Sequence, residues 1–211
     1  MQGRDKKKRG FTLLELMVVI GIIATLMGVL ISSFAGAGES AEKAKVQDLV
    51  LSVKAAMETV LNRNMAWPQA VISNNNKQLD EDTAMVFVAE GLLGLATNKD
   101  KNKLMGQDRC GVVDHWAAAA LKRSASTSGG GDKSLKVGSG ARGTVEDHTL
   151  WYAVDTDGNG FTEISAKGIG SLKVRATVCV WAAGKDGEVA DWKDAGRSDD
   201  VYSWTIDQVA Q

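Results

Sequence analysis

Arg9-Gly10-Phe11-Thr12-Leu13-Leu14-Glu15-Leu16-Met17-Val18-Val19-Ile20 is the stretch that decides how this chain is built. It opens an apolar run from Phe11 to Ile31 in which Glu15 is the one ionisable residue. Wound as a helix, that run spans roughly 30 Å, about the hydrocarbon thickness of a bilayer. Arg4, Lys6, Lys7, Lys8 and Arg9 precede it, and no comparable basic cluster follows directly. The positive-inside rule therefore keeps the N-terminus in the cytoplasm and exports the residues beyond about 38.

Glu15 needs a partner. An ionised side chain in a membrane-spanning helix costs about 2.5–3.5 kcal/mol on insertion scales. The run holds no cation. A cut between Gly10 and Phe11 would supply one, because Phe11 would then carry a free amine four residues from Glu15. Pairing that amine with the carboxylate of a neighbouring helix would couple charge neutralisation to assembly.

A basic leader ending in Gly, then Phe-Thr-Leu-Leu-Glu-Leu, then an apolar helix, resembles the type IV pilins and type II secretion pseudopilins. The resemblance covers residues 4 to about 66. It implies that a prepilin peptidase cuts after Gly10 and methylates the new N-terminus at Phe11. It also implies that Glu15 registers subunits in a helical filament. Type IVa pilins carry a Pro where this chain has Ser32, which argues against that subclass. Two other readings compete. One is an ordinary transmembrane anchor. The other is a conventional signal peptide, for which Ala35-Gly36-Ala37 has the small-x-small form of a cleavage site. The length of the apolar run and the presence of Glu15 oppose that second reading.

The resemblance and the residue patterns divide the chain into a leader at 1–10, a transmembrane or filament-core helix at 11–38, an amphipathic continuation at 39–66, and a periplasmic domain at 67–211. The 211 residues and 22.4 kDa suit one globular domain beyond an anchor. Formal net charge is −1. Without residues 1–10 the chain keeps 20 basic and 25 acidic residues, so it does not read as a nucleic-acid binder. The two cysteines, Cys110 and Cys179, both fall in the exported part, where a disulfide persists; two buried free thiols are the alternative.

Ala41, Ala44, Leu49, Val50, Val53, Met57, Val60 and Leu61 form a helical stripe, with Glu42, Lys45, Asp48, Lys54, Glu58 and Arg63 on the other face. One helix from Phe11 to about Arg63 is expected, roughly 80 Å long, softened at Gly36 and Gly38 and ended by Trp67-Pro68. Major pseudopilins often show a Tyr-Pro pair at that point. Residues 74–77 read as a loop, Asp82 to Leu95 as a second helix, and Val112 to Lys122 as a short third. Residues 124–144 are rich in Ser and Gly and read as an exposed loop. The C-terminal third is β-like. Thr149–Val154 and Phe161–Ile164 are expected to form a hairpin, Val174–Trp181 one alternating strand, and Val201–Ile206 the last. The fold class is α+β: a long helix packed on a small antiparallel sheet of three or four strands.

Two acidic loops offer oxygen ligands for Ca²⁺. Asp155-Thr156-Asp157-Gly158-Asn159-Gly160 matches the first half of an EF-hand loop, but its twelfth position is Ala166 rather than Glu. The alternative there is a turn in which Asp and Asn bond their own backbone. The second loop runs from Ala183-Gly184-Lys185-Asp186-Gly187 to Asp199-Asp200 and Trp204, and it resembles the calcium loop of major pseudopilins. That resemblance implies ligands at Asp186, Asp199 and Asp200, with Asp191 and Asp194 lying between; a solvated acidic loop is the alternative. No organic cofactor is expected.

Catalysis has little basis. The two histidines, His115 and His148, do not share a zinc-binding spacing, there is no Cys-x-x-Cys, and the Gly-rich stretch 129–143 lacks the Gly-Lys-Ser/Thr of a phosphate loop. The tryptophans in predicted strands, Trp151, Trp181 and Trp204, read as core. The expectation is a structural subunit of a type II secretion pseudopilus. Its partners would be copies of itself, other pilin-like subunits, the prepilin peptidase and an inner-membrane assembly platform. Alternatives are a type IV pilus subunit for adhesion, motility or DNA uptake, and a membrane-anchored periplasmic binding module that never polymerises.

Overall fold

A computed structural model describes residues 12–79, 83, 112–114, 116–117, 136–137, 140–190, 192 and 199–210, without the side chains of 31–37 and 39. The chain divides into two compact units, Met1–Ala41 and Glu42–Gln211. Helix α1, Leu13–Asn64, has 52 residues and continues through Gly36 and Gly38. In the first unit, Leu13–Leu30 is long and apolar enough to cross a membrane and has no buried residue. Leu13, Leu14 and Val29 are 76%, 73% and 68% exposed. A helix that is apolar all round and packed against nothing needs lipid or other helices to cover it.

In the second unit α1 becomes one-sided. Val46, Val50, Val53, Met57 and Val60 recur at steps of four and three and are wholly buried, with Ala56 beside them. Each such side chain contributes about 1.5–3 kcal/mol of burial. Val46 and Ala56 extend the stripe anticipated from the sequence, whereas Ala41 and Ala44 are exposed. Past Asn64 the helix ends at Met65, whose φ of 54° is left-handed. Trp67 then fixes the exit, its Nε1–H donating to the Asp155 carbonyl at 2.6 Å. A short helix α2, Gln69–Ser73, follows Pro68.

The strands are β1 (Lys77–Gln78), β2 (Trp151–Val154), β3 (Thr162–Ala166), β4 (Gly170–Val174), β5 (Val178–Ala182) and β6 (Val201–Tyr202). β1-β2-β5-β6 form one antiparallel sheet and β3-β4 a separate hairpin. Strand alternation assigns the faces of the four-stranded sheet. Tyr152, Val154, Val178, Val180 and Ala182 join the core that holds the α1 stripe. Ala153, Cys179 and Trp181 join a second core with Ile164, Leu172 and Val174 of the hairpin. There Trp181 stacks on Trp151 at 6.2 Å between centroids and meets Trp204 edge-on at 5.8 Å. The sheet is therefore buried on both sides.

The α+β architecture matches the sequence reading, with four corrections. The segment 149–154 does not pair with 161–164; β2 pairs with β5 and β3 with β4. The expected strand 174–181 is split by a bend at 175–177, which lets its two halves serve different sheets. Val112 and Val113 are extended rather than helical, with Val113 bridged to Thr149. Lys77, read as the end of a loop, begins β1. The helix expected over 82–95 lies outside the described residues except at Thr83, and 124–135 lies outside them entirely.

The stripe can be tested directly. Met57→Ala is expected to destabilise the full chain in detergent by about 2–5 kcal/mol in urea unfolding. Leu51→Ala, at a side chain 47% exposed, should cost under about 0.5 kcal/mol. Equal costs would mean that α1 does not bury the 46–60 stripe.

Candidate functional site

Gly10 and Phe11 lie outside the described residues. Glu15 is described, and its carboxylate folds back on Thr12. The Thr12 N–H and hydroxyl both donate to Oε2 at 2.9 Å, and the Glu15 N–H donates to Thr12 Oγ1 at 3.3 Å. This reciprocal pattern is a capping box, and Thr-x-x-Glu was legible in the sequence as one. It holds the carboxylate at the positive end of the helix dipole and satisfies its lone pairs locally. The capping box itself supplies no cation.

The second acidic loop does converge. Asp186, Asp199 and Asp200 each place a carboxylate oxygen so that the three lie within 4.8 Å of one another. Asp200 is buried by its partners: Oδ1 accepts from the Gly184 N–H at 2.8 Å, and Oδ2 accepts from the Ala190 N–H at 2.9 Å and the Tyr202 hydroxyl at 3.1 Å. Asp199 Oδ2 accepts from the Lys185 N–H. Gly184 makes that approach possible, because a Cβ there would fall 2.1 Å from the Asp199 carboxyl carbon. Asp186 is exposed and bonds only the Glu188 N–H, at 3.0 Å. A cluster of three hard oxygen donors, built around a glycine that leaves room for one of them, fits Ca²⁺ in its chemistry. Asp191 and Asp194 lie outside the described residues.

Asp155, Asp157 and Asn159 are organised differently. Asp155 accepts from the N–H groups of Asp157, Gly158 and Gly160 at 3.3, 2.8 and 2.7 Å. Asp157 accepts from the backbone and side-chain N–H of Asn159, and Asn159 Oδ1 accepts from the Phe161 N–H. These bonds make the segment a turn closed by its own side chains, the alternative that the sequence reading allowed.

Among the described residues Cys179 is a buried free thiol, and Cys110, its expected partner, lies outside them. Burial pushes the thiol up to about 12, against a Thr162 hydrogen bond and the Lys54 charge. Cys179 faces the hairpin side of the sheet.

One buried pair had no sequence signal, since its members are far apart in the chain. His148 Nδ1 lies 2.7 Å from Asp114 Oδ2, with both side chains fully enclosed, and His148 Nε2 lies 2.8 Å from the Arg142 carbonyl. Asp114 Oδ1 accepts from the N–H groups of Trp116 and Ala117 at 2.9 and 3.1 Å. Both ring nitrogens are thus engaged within the protein.

The prokaryotic N-terminal methylation motif matches residues 5–31, which include Gly10, Phe11, Glu15 and the whole apolar run. At this end the chain resembles type IV pilins and type II secretion pseudopilins. Further, it is 29% identical over 151 residues to type II secretion system core protein G of Escherichia coli K12, spanning 72% of this chain and 95% of the relative. No solved structure matches. The motif, this similarity and the α+β architecture together support a pilin or pseudopilin role, in which the apolar helix fits a single-pass membrane anchor.

The acidic loop makes a stability prediction. Asp200→Ala strands buried N–H donors and should destabilise the chain by about 1–3 kcal/mol. Asp157→Ala, at an exposed turn residue, should cost under about 1 kcal/mol by urea unfolding. The reverse order would show that Asp200 does not organise its loop.

Proposed function

We propose that this chain is a structural subunit of a type II secretion pseudopilus, cut after Gly10, methylated at Phe11 and polymerised through its N-terminal helix. The observation that carries this reading is the methylation motif over 5–31 on a chain that also resembles core protein G over 72% of its length. Subunits wait in the inner membrane with the N-terminus in the cytoplasm. As they leave the bilayer, the exposed helix of one is covered by the helices of others, and that burial drives assembly. Glu15 is the registration residue. Its carboxylate, positioned by Thr12 at the end of the helix, meets the Phe11 amine of a neighbour and is neutralised only in the filament. The work is mechanical, with no bond made or broken by this chain. Its partners are copies of itself, other pilin-like subunits, the prepilin peptidase and an inner-membrane assembly platform. The printed name of the E. coli relative favours secretion over adhesion, motility or DNA uptake.

Assembly is tested by Glu15→Ala. The variant should insert and be processed as wild type does, yet lose most of its incorporation into filaments sheared from cells. Wild-type incorporation would remove the registration role from Glu15.

The proposal extends to Ca²⁺ at Asp186, Asp199 and Asp200. A bound ion would offset the repulsion of three carboxylates and tie the 184–187 turn to the segment before β6. At a hundredfold excess over Kd it would add about 2.7 kcal/mol. The full chain in detergent is expected to melt several degrees higher in millimolar calcium than in chelator, and Asp186→Ala should abolish most of the difference. Identical melting in both, with no heat on titration, would leave the loop as an ordinary acidic turn.

A further inference from the structure

The buried His148–Asp114 pair can be resolved by counting protons. The Arg142 carbonyl only accepts, so Nε2 carries a hydrogen. Nδ1 and Asp114 Oδ2 are 2.7 Å apart, which requires one proton between them. Asp114 Oδ1 already accepts two backbone N–H bonds, an arrangement that favours the carboxylate, and the pair is therefore imidazolium and carboxylate. Removing one proton leaves the ring with a choice it cannot satisfy. With the remaining hydrogen on Nε2, the Nδ1 lone pair faces a carboxylate at 2.7 Å. With it on Nδ1, the ring keeps Asp114 and loses the Arg142 carbonyl.

That second contact matters because of where Arg142 leads. The Arg142 N–H donates to the Lys185 carbonyl at 2.9 Å, so the backbone of 142 joins the histidine to the turn at 184–187. Gly187 packs against the same ring. A Cβ there would sit 3.3 Å from His148 Nε2 and 3.1 Å from the Arg142 carbonyl. We propose that the His148–Asp114 pair is a proton-dependent latch: when protonated it fastens segment 140–148 to the 184–187 turn, and loss of its proton releases that segment.

The charged groups around the ring are Asp114 on the 114–117 segment, Arg142 and Asp147 on its own segment, and Lys185, Asp186 and Glu188 on the turn packed against it. All but Asp114 are at least partly solvent-exposed and screened, so the buried carboxylate dominates. Burial alone would lower the histidine's pKa; the hydrogen bond and charge of Asp114 outweigh it, and the shift is upward. Burial likewise raises Asp114, so both groups hold the shared proton more tightly than free side chains do. A raised folded-state value means that the latch's contribution is fully present below the unfolded value and is lost as pH rises through the folded one.

The experiment uses the full chain in detergent and chelator, ¹⁵N-labelled at histidine, with His115→Gln to assign the two rings. Hydrogen exchange is followed on the same samples. The His148 ring should remain imidazolium beyond the ordinary value of about 6.5. Across that midpoint, peptides over 140–148 and 183–190 should lose protection together by about tenfold, after correction for intrinsic exchange, while the β3–β4 hairpin does not change. In Asp114→Asn the amide can donate to Nδ1 of a neutral ring, so the latch should stay closed and its pH step should vanish. Titration of the wild-type ring at or below the ordinary value, or protection that does not follow the ring's proton, would overturn the proposal. So would a pH step that survives in Asp114→Asn. Should that variant not fold, the coincidence of ring titration and protection loss in the wild type still decides.

Discussion

The second unit depends on one contact: the 46–60 stripe of α1 lying against one face of the β1-β2-β5-β6 sheet. A lone helix of this composition would be marginal in water, and so would a sheet with an uncovered apolar face. Each covers the other. Because β2 and β5 alternate, the same strands that send Tyr152, Val154, Val178 and Val180 to the helix send Ala153, Cys179 and Trp181 the other way, and a second layer must cover these. The β3–β4 hairpin and the Trp204 region supply that layer. The acidic loop between β5 and β6 is held at the margin of this double-sided sheet by Asp200 and Tyr202.

The first unit obeys a different solvent. Its residues are as apolar as those of the core, yet Leu13–Leu30 has no buried position. At its N-terminal end Thr12 and Glu15 cap one another. In the proposed filament, a neighbour's amine would pair with the carboxylate held at the mouth of this apolar helix and would give direction and register to otherwise non-directional apolar packing.

The helix was legible because its signals are local: an uninterrupted apolar run, a three-and-four stripe, and Trp67-Pro68 as a stop. Strand existence was legible for the same reason in 149–154 and 174–181. Strand pairing was not, since the choice between a 149–164 hairpin and the observed β2·β5 and β3·β4 pairs is set by which face each residue buries. The bend at 175–177 contains no Pro or Gly to announce it. At the sites, Glu15 was singled out by its motif and Asp186, Asp199 and Asp200 by resemblance to a pseudopilin loop, and the fold does bring those three carboxylates within 4.8 Å of one another. At Asp155 the sequence offered both a turn and a metal reading, and the structure shows the backbone bonds of the turn. The expected Cys110–Cys179 bridge rests on compartment chemistry, which says whether a bridge persists and not which side of a sheet a thiol faces. The His148–Asp114 pair joins residues 34 apart with no pattern between them, and only the fold brings them together.

A chain that is a filament subunit must be processed in a specific way before it can assemble, and the two competing readings of the N-terminus place the cut elsewhere or nowhere. Intact mass and N-terminal sequencing of protein recovered from cell membranes separate them in one measurement. The account predicts a chain that starts at N-methylated Phe11 and retains the whole apolar helix. A mature N-terminus at Gly38, or an uncut leader in a strain with an active prepilin peptidase, would contradict it.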